Sequence, residues 1–211
     1  MSGPDLAQEA LKIGFGWVLG LASPLIWEWQ KRRRRVKELK SSVIGELNEL
    51  RYKMGWVALT VRMNRGNADA EFINWLDPIV QNYVGAETNP ELVAGLKTLR
   101  ELLLRNPGIG QQKRPLVGLG VKEYTLPLLD AHLGEISNFR VKFQSAVLAI
   151  KGHLDLFNQT VSYLRKLEDR TFDQSITGVN REAVMKNIDN GFVDLANRAK
   201  RIADLAGELD R

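Results

Sequence analysis

The sequence predicts an all-α protein, with a single N-terminal transmembrane helix followed by a cytoplasmic antiparallel bundle of long helices. Three observations carry that expectation. Apolar residues recur at three- and four-residue steps along most of the chain, and no stretch alternates with the period of two that a half-buried strand requires. One uncharged, tryptophan-rich run near the N-terminus ends abruptly in cations, in "GFGWVLGLASPLIWEWQKRRRR", Gly14 to Arg35. Beyond that block the charges nearly cancel.

The net charge of +5 is concentrated in one place. Residues 31–40 carry seven basic side chains against Glu38, residues 1–30 sum to −2, and so residues 41–211 sum to only +1. A domain that grips duplex backbone spreads Lys and Arg over a face, so this distribution argues against nucleic acid as the partner. The chain has no cysteine, which excludes a disulfide framework and thiolate zinc sites.

The apolar run follows acidic Asp5 and Glu9 and precedes its cations, the reverse of a secretory signal peptide. Between Lys12 and Glu28 lie 15 uncharged residues, about 22 Å of helix against a hydrocarbon core of about 30 Å. Leu11 and Trp29 extend the run to about 28 Å. Lys12 can snorkel outward, and Glu28 can reach Arg32 one turn on. Three of the five tryptophans, Trp17, Trp27 and Trp29, lie here, the last two at the edge where an indole prefers the headgroup layer. Pro24 is tolerated in such a span.

The expected organisation is therefore a short translocated end over 1–10, an anchor over 11–29, a basic juxtamembrane segment over 30–40 and a cytoplasmic helical domain over 41–211. The positive-inside rule places Lys31, Arg32, Arg33, Arg34 and Arg35 on the cytoplasmic side of the inner membrane, against anionic headgroups. A segment lying in the interface is the alternative. Gly16 and Gly20 form a GxxxG pair suited to helix packing and self-association in the bilayer; glycine's general frequency in membrane helices explains the pair equally well.

In the body, Val36, Val43, Leu47, Leu50, Met54, Val57 and Val61 form one seam interrupted by Lys40, and "NRGNAD" at 64–69 ends it. Continuous with the GxxxG span, that seam is suited to aligning parallel copies. Phe72, Leu76, Ile79 and Tyr83 mark a shorter helix with Pro78 as its expected break. Leu92, Leu96, Leu99 and Leu103 mark another that opens at Pro90. The breaker-rich stretch 106–120 predicts an exposed loop; its GxG pairs complete neither phosphate-binding fingerprint. Leu126, Leu129, Leu133 and Ile136 predict renewed helix. The strongest stripe is Phe143, Val147, Ile150, Leu154, Phe157, Val161 and Leu164. A final helix carries Ile188, Phe192, Leu195, Ala199, Ile202, Ala206 and Leu209 from a cap near Asn180.

No catalytic constellation emerges, and no cofactor is implied. His132 and Glu135 share a helix face at i and i+3, the one pairing with metal-ligand potential, whereas His153 and Asp155 do not share a face. The Glu-x-x-His pairs of a di-iron bundle are absent, as are G-x-S-x-G, HExxH and the P-loop. Glu46, Glu49, Glu168 and Asp169 lie among basic neighbours and read as solvated. The expectation is a non-enzymatic, membrane-anchored interaction protein acting as scaffold, adaptor or sensor subunit. An oligomeric membrane effector or pore subunit, and a tethered metal enzyme using His132, are the competing classes.

Overall fold

In the computed structural model, residues 3–83, 90–113, 120–173 and 178–209 are described, with side chains at Pro24 and, except for Leu92, from Ile26 onward. Every regular element among them is helical, in the order α1 (Gly3–Arg65), α2 (Ala70–Gln81), α3 (Pro90–Arg105), a 3-10 turn (Pro107–Gln111), α4 (Pro127–Ala131), a second 3-10 turn (Leu133–Asn138), α5 (Val141–Thr171) and α6 (Gly178–Glu208). The chain divides into two units, residues 1–42 and residues 43–211.

Within 43–211, the seams set the packing. All seven apolar residues of the strongest stripe on α5 are buried, as are Ile188, Phe192, Leu195, Ala199, Ile202 and Ala206 on α6. Each large apolar side chain moved from water into such a core contributes about 1.5–3 kcal/mol. α5 and α6 run antiparallel: Arg181 donates to the Thr171 carbonyl at 3.1 Å, while Asp194 lies 3.5 Å from the Thr160 hydroxyl farther along. Gly191 marks their close approach, since a Cβ there would sit 2.6 Å from Leu164. The C-terminal part of α1 is likewise antiparallel to α6, with Arg51 against Gly207 and Arg65 2.9 Å from Asp189. α2 crosses α1 where Gly55 leaves room for Leu76, and its Trp75 indole donates to Asp204 of α6 at 2.7 Å.

Helix ends follow local chemistry. α1 stops at Gly66, whose φ of +69° is left-handed; Asn67 N–H reaches the Arg62 carbonyl at 3.0 Å and Gly66 N–H the Met63 carbonyl at 3.3 Å, a Schellman closure. Asp69 caps α2 by accepting from Phe72 N–H at 2.7 Å. α4 is capped from outside its own sequence neighbourhood: the two Glu46 oxygens accept from Leu128 and Leu129 N–H at 2.8 and 2.9 Å.

Several expectations need correction. The α1 seam from Val43 to Val61 is buried within the body, so those residues are not free to align parallel copies; only Val36 on that seam is half-exposed. Pro78 does not break α2, which continues to Gln81: proline removes one bond of the ladder, and the burial of Phe72, Ile73, Leu76, Ile79 and Val80 on both sides of it offsets the loss. The 126–136 region is a five-residue helix and a 3-10 turn instead of one helix, and Leu133 is exposed. The stretch 106–120 is partly folded: Gly110 is buried so tightly against the Ala68 carbonyl that any Cβ would clash. Residues 114–119 of that stretch lie outside the described residues.

Among the described residues no helix is long and apolar enough to cross a membrane, so the expected transmembrane helix over 11–29 gains no support from the structure. The side chains of 11–23, including Gly16 and Gly20, lie outside the described ones.

Candidate membrane-interface segment and aromatic groove

The first candidate site belongs to residues 24–40 of α1. Trp27 is 65% exposed and Trp29 60%, and Ile26 beside them is exposed as well. Lys31 Nζ stands 5.4 Å from the Trp27 ring centroid and Arg33 Cζ 5.0 Å from that of Trp29, each cation one turn beyond its indole. Such exposed cation–π pairs are worth about 0.5–1 kcal/mol. Lys31, Arg32, Arg33, Arg34 and Arg35 are all exposed. At about 100° per residue, five consecutive cations encircle the helix, and Lys31 and Arg35 repel each other at i and i+4. An anionic surface relieves that repulsion while taking up the indoles.

The second candidate lies within 43–211 and escapes sequence analysis. Tyr52, Lys53, Trp56, Val57 and Thr60 of α1 face Gly120, Val121, Lys122 and Tyr124 across a groove of about 430 Å³. Tyr52 meets Trp56 edge-on at 6.1 Å and stacks on Tyr83 at 4.2 Å. The far wall is fastened to α5. Asn158 accepts from Tyr124 N–H at 3.0 Å and donates to its carbonyl at 2.8 Å, and Ser162 donates to Glu123 at 2.8 Å. Burial pushes the Tyr124 phenol above its ordinary value of 10.0, with the nearby Lys53 charge opposing, so the hydroxyl remains a donor at neutral pH. The Trp56 indole N–H is buried without a partner among the described residues. Lys53 pairs with Glu49, and Lys122 stands 5.8 Å from the Tyr124 ring. No carboxylate is among the described lining residues. The described lining thus combines aromatic faces, hydroxyl and indole donors and two lysine cations, the mix of apolar surface and a few polar groups that binding pockets carry.

The sequence-predicted metal pair is brought together. His132 Nδ1 and Glu135 Oε1 lie 3.2 Å apart, and no group of three or more His, Asp or Glu able to hold a metal occurs among the described residues. Glu46, read from sequence as solvated, is the α4 cap. Its role leaves no local signal, because Leu128 and Leu129 lie 82 and 83 residues away. Compared with known protein families, characterised proteins and solved structures, the chain matches none.

Proposed function

We propose that the protein is a membrane-anchored helical interaction protein. Residues 11–29 attach it to the bilayer, Lys31 to Arg35 hold anionic headgroups, and the body at 43–211 serves protein partners on the cytoplasmic face as a scaffold, adaptor or sensor subunit. The observation that supports this reading most is the exposure of Trp27 and Trp29 directly ahead of five exposed cations. An indole carries roughly 150–250 Å² of burial surface, and here more than half of each is in water. Headgroups explain both features together: the interface takes the indoles, and each nearby cation gains about 1 kcal/mol at an anionic leaflet. Duplex nucleic acid accounts for the cations alone.

Flotation with phosphatidylcholine vesicles, with and without phosphatidylserine, tests the attachment. Binding should require or be strengthened by the anionic lipid, weaken with salt, and fall when Lys31 to Arg35 are changed to Gln. Failure to float with either vesicle would overturn the reading. Carbonate extraction separates its two forms: retention in the pellet supports a span over 11–29, and release leaves an interfacial attachment.

A further inference from the structure

The N-terminal part of α1 is amphipathic along its axis, not around it. Positions 13–27 carry no charge, and Ser23 is the only hydroxyl or amide side chain among them. At about 100° per residue, the apolar positions from Phe15 to Trp27 surround the helix with no gap wider than about 80°. Four residues farther on the pattern inverts: Lys31 to Arg35 occupy every side, with no gap wider than about 100°. A helix that lies in the interface plane keeps one polar and one apolar face along its length. α1 has no charged face over 13–27 and no apolar face over 31–35.

The exposed aromatic side chains repeat that axial order on two sides. Trp27 and Trp29 stand about 160° apart around the helix, and both are mostly in water. Each has its cation toward the C-terminus, Lys31 Nζ at 5.4 Å from the Trp27 ring and Arg33 Cζ at 5.0 Å from the Trp29 ring. Laid flat on a membrane, the helix would leave one of the two indoles in water and turn some of the cations toward the acyl chains. Stood on end, it sets both indoles at one depth, within about 3 Å along the axis, with every cation above them.

We infer, resting on the membrane attachment proposed above, that α1 enters an anionic leaflet end-on, the headgroup level falling between Trp29 and Lys31 and the five cations gripping phosphates around the whole circumference of the helix. Because Lys31, Arg32, Arg33, Arg34 and Arg35 fan out in all directions, they reach separate headgroups instead of converging on one. The partner is therefore a surface of monoanionic lipids, recognised by its charge density. End-on entry holds whether or not 11–29 reaches the far leaflet.

The chain has no cysteine, so single-cysteine variants of the full chain can carry an environment-sensitive fluorophore into vesicles of phosphatidylcholine and phosphatidylserine. Leu21→Cys, Ala22→Cys, Ser23→Cys, Ile26→Cys, Glu28→Cys and Gln30→Cys sample several sides of the helix and leave the tryptophans and cations in place. Quenching by nitroxides at the lipid chain ends should rise steadily from position 30 to position 21, over about 14 Å. Changing Lys31, Arg32, Arg33, Arg34 or Arg35 singly to Gln should lower vesicle affinity about fivefold in each case, the factor that about 1 kcal/mol per cation implies. Phosphatidylglycerol in place of phosphatidylserine, at equal mole fraction, should bind equally well. All of these substitutions lie outside 43–211, so the fold of that body is left intact. Quenching that cycles with a period near 3.6 residues, or losses confined to the cations of one face, would overturn end-on entry while the attachment itself stands. A several-fold preference for one headgroup at matched charge would overturn recognition by charge density. Absence of vesicle binding by the wild type defeats the attachment, and end-on entry with it.

Discussion

Residues 24–40 of α1 and the whole of α5 are both helical, and they differ in what keeps them so. On α5 an unbroken stripe from Phe143 to Leu164 is buried, so tertiary packing holds the helix. Over residues 24–40 no described side chain is buried, and helix there rests on the propensity of Arg, Lys, Leu, Glu and Gln against the mutual repulsion of the cations. A helix without a core face is marginal in water. The contrast shows where to look for function: packing explains one segment completely on its inner side, while the other carries aromatic and charged side chains that the fold itself does not use.

The contrast is broken most severely by removing the packing. Phe157→Ala on α5, at a fully buried position, should cost about 3–5 kcal/mol, read as a lower denaturant midpoint at unchanged m-value; a loss under about 1 kcal/mol would mean that α5 is not a central core element. Glu46→Ala should cost about 1–3 kcal/mol because it orphans the N–H groups of Leu128 and the buried Leu129, and Glu46→Gln should restore part of it by keeping one acceptor. Asp69→Ala, removing the α2 cap, should cost about 1 kcal/mol.

Alkaline titration should have a smaller effect. The folded protein favours the neutral Tyr124 phenol, through burial, and the charged Lys151 ammonium, through its hydrogen bond to Asp130. Both shifts are upward, from 10.0 and 10.5, so the unfolded chain releases these protons first. The stabilisation is intact below about pH 10 and is lost as pH rises through the raised values. Urea midpoints measured between about pH 8 and pH 11 should fall at the alkaline end, and less steeply in Tyr124→Phe. The smallest effect on folding belongs to Trp27→Ala with Trp29→Ala, which should leave stability within about 0.5 kcal/mol while lowering vesicle binding. Loss of stability comparable to Phe157→Ala would show that the indoles serve the fold.

The helical seams were legible because burial on a helix imposes a period that survives in the sequence. Phe143 to Leu164 and Ile188 to Ala206 were identified residue by residue on that ground. Turn chemistry located the end of α1 at Gly66 for an equally local reason. Pro78 misled because a helix carries a proline when the burial on both sides of it is large enough, and that burial is set by tertiary packing. The groove was invisible because Tyr52 and Trp56 look like ordinary flank residues until the segment at 120–124, some 70 positions away, is fastened beside them by Asn158. The exposed Val141, Leu148, Leu156 and Tyr163 of α5 were visible in principle, but an exposed apolar residue is informative only once the core side of its helix is known.

By itself, then, the sequence determined the secondary structure class, the inward faces of the long helices, the end of α1 and the concentration of charge at 31–40, because each depends on residues close together in the chain. Only the tertiary structure decided that the α1 seam from Val43 closes inside the body, that Glu46 caps α4, that Tyr124 faces Trp56, and that α5 keeps Val141, Leu148, Leu156 and Tyr163 in water. Those outcomes depend on which surfaces meet across long stretches of chain, and hydrophobic periodicity states that a face must be covered without stating by what.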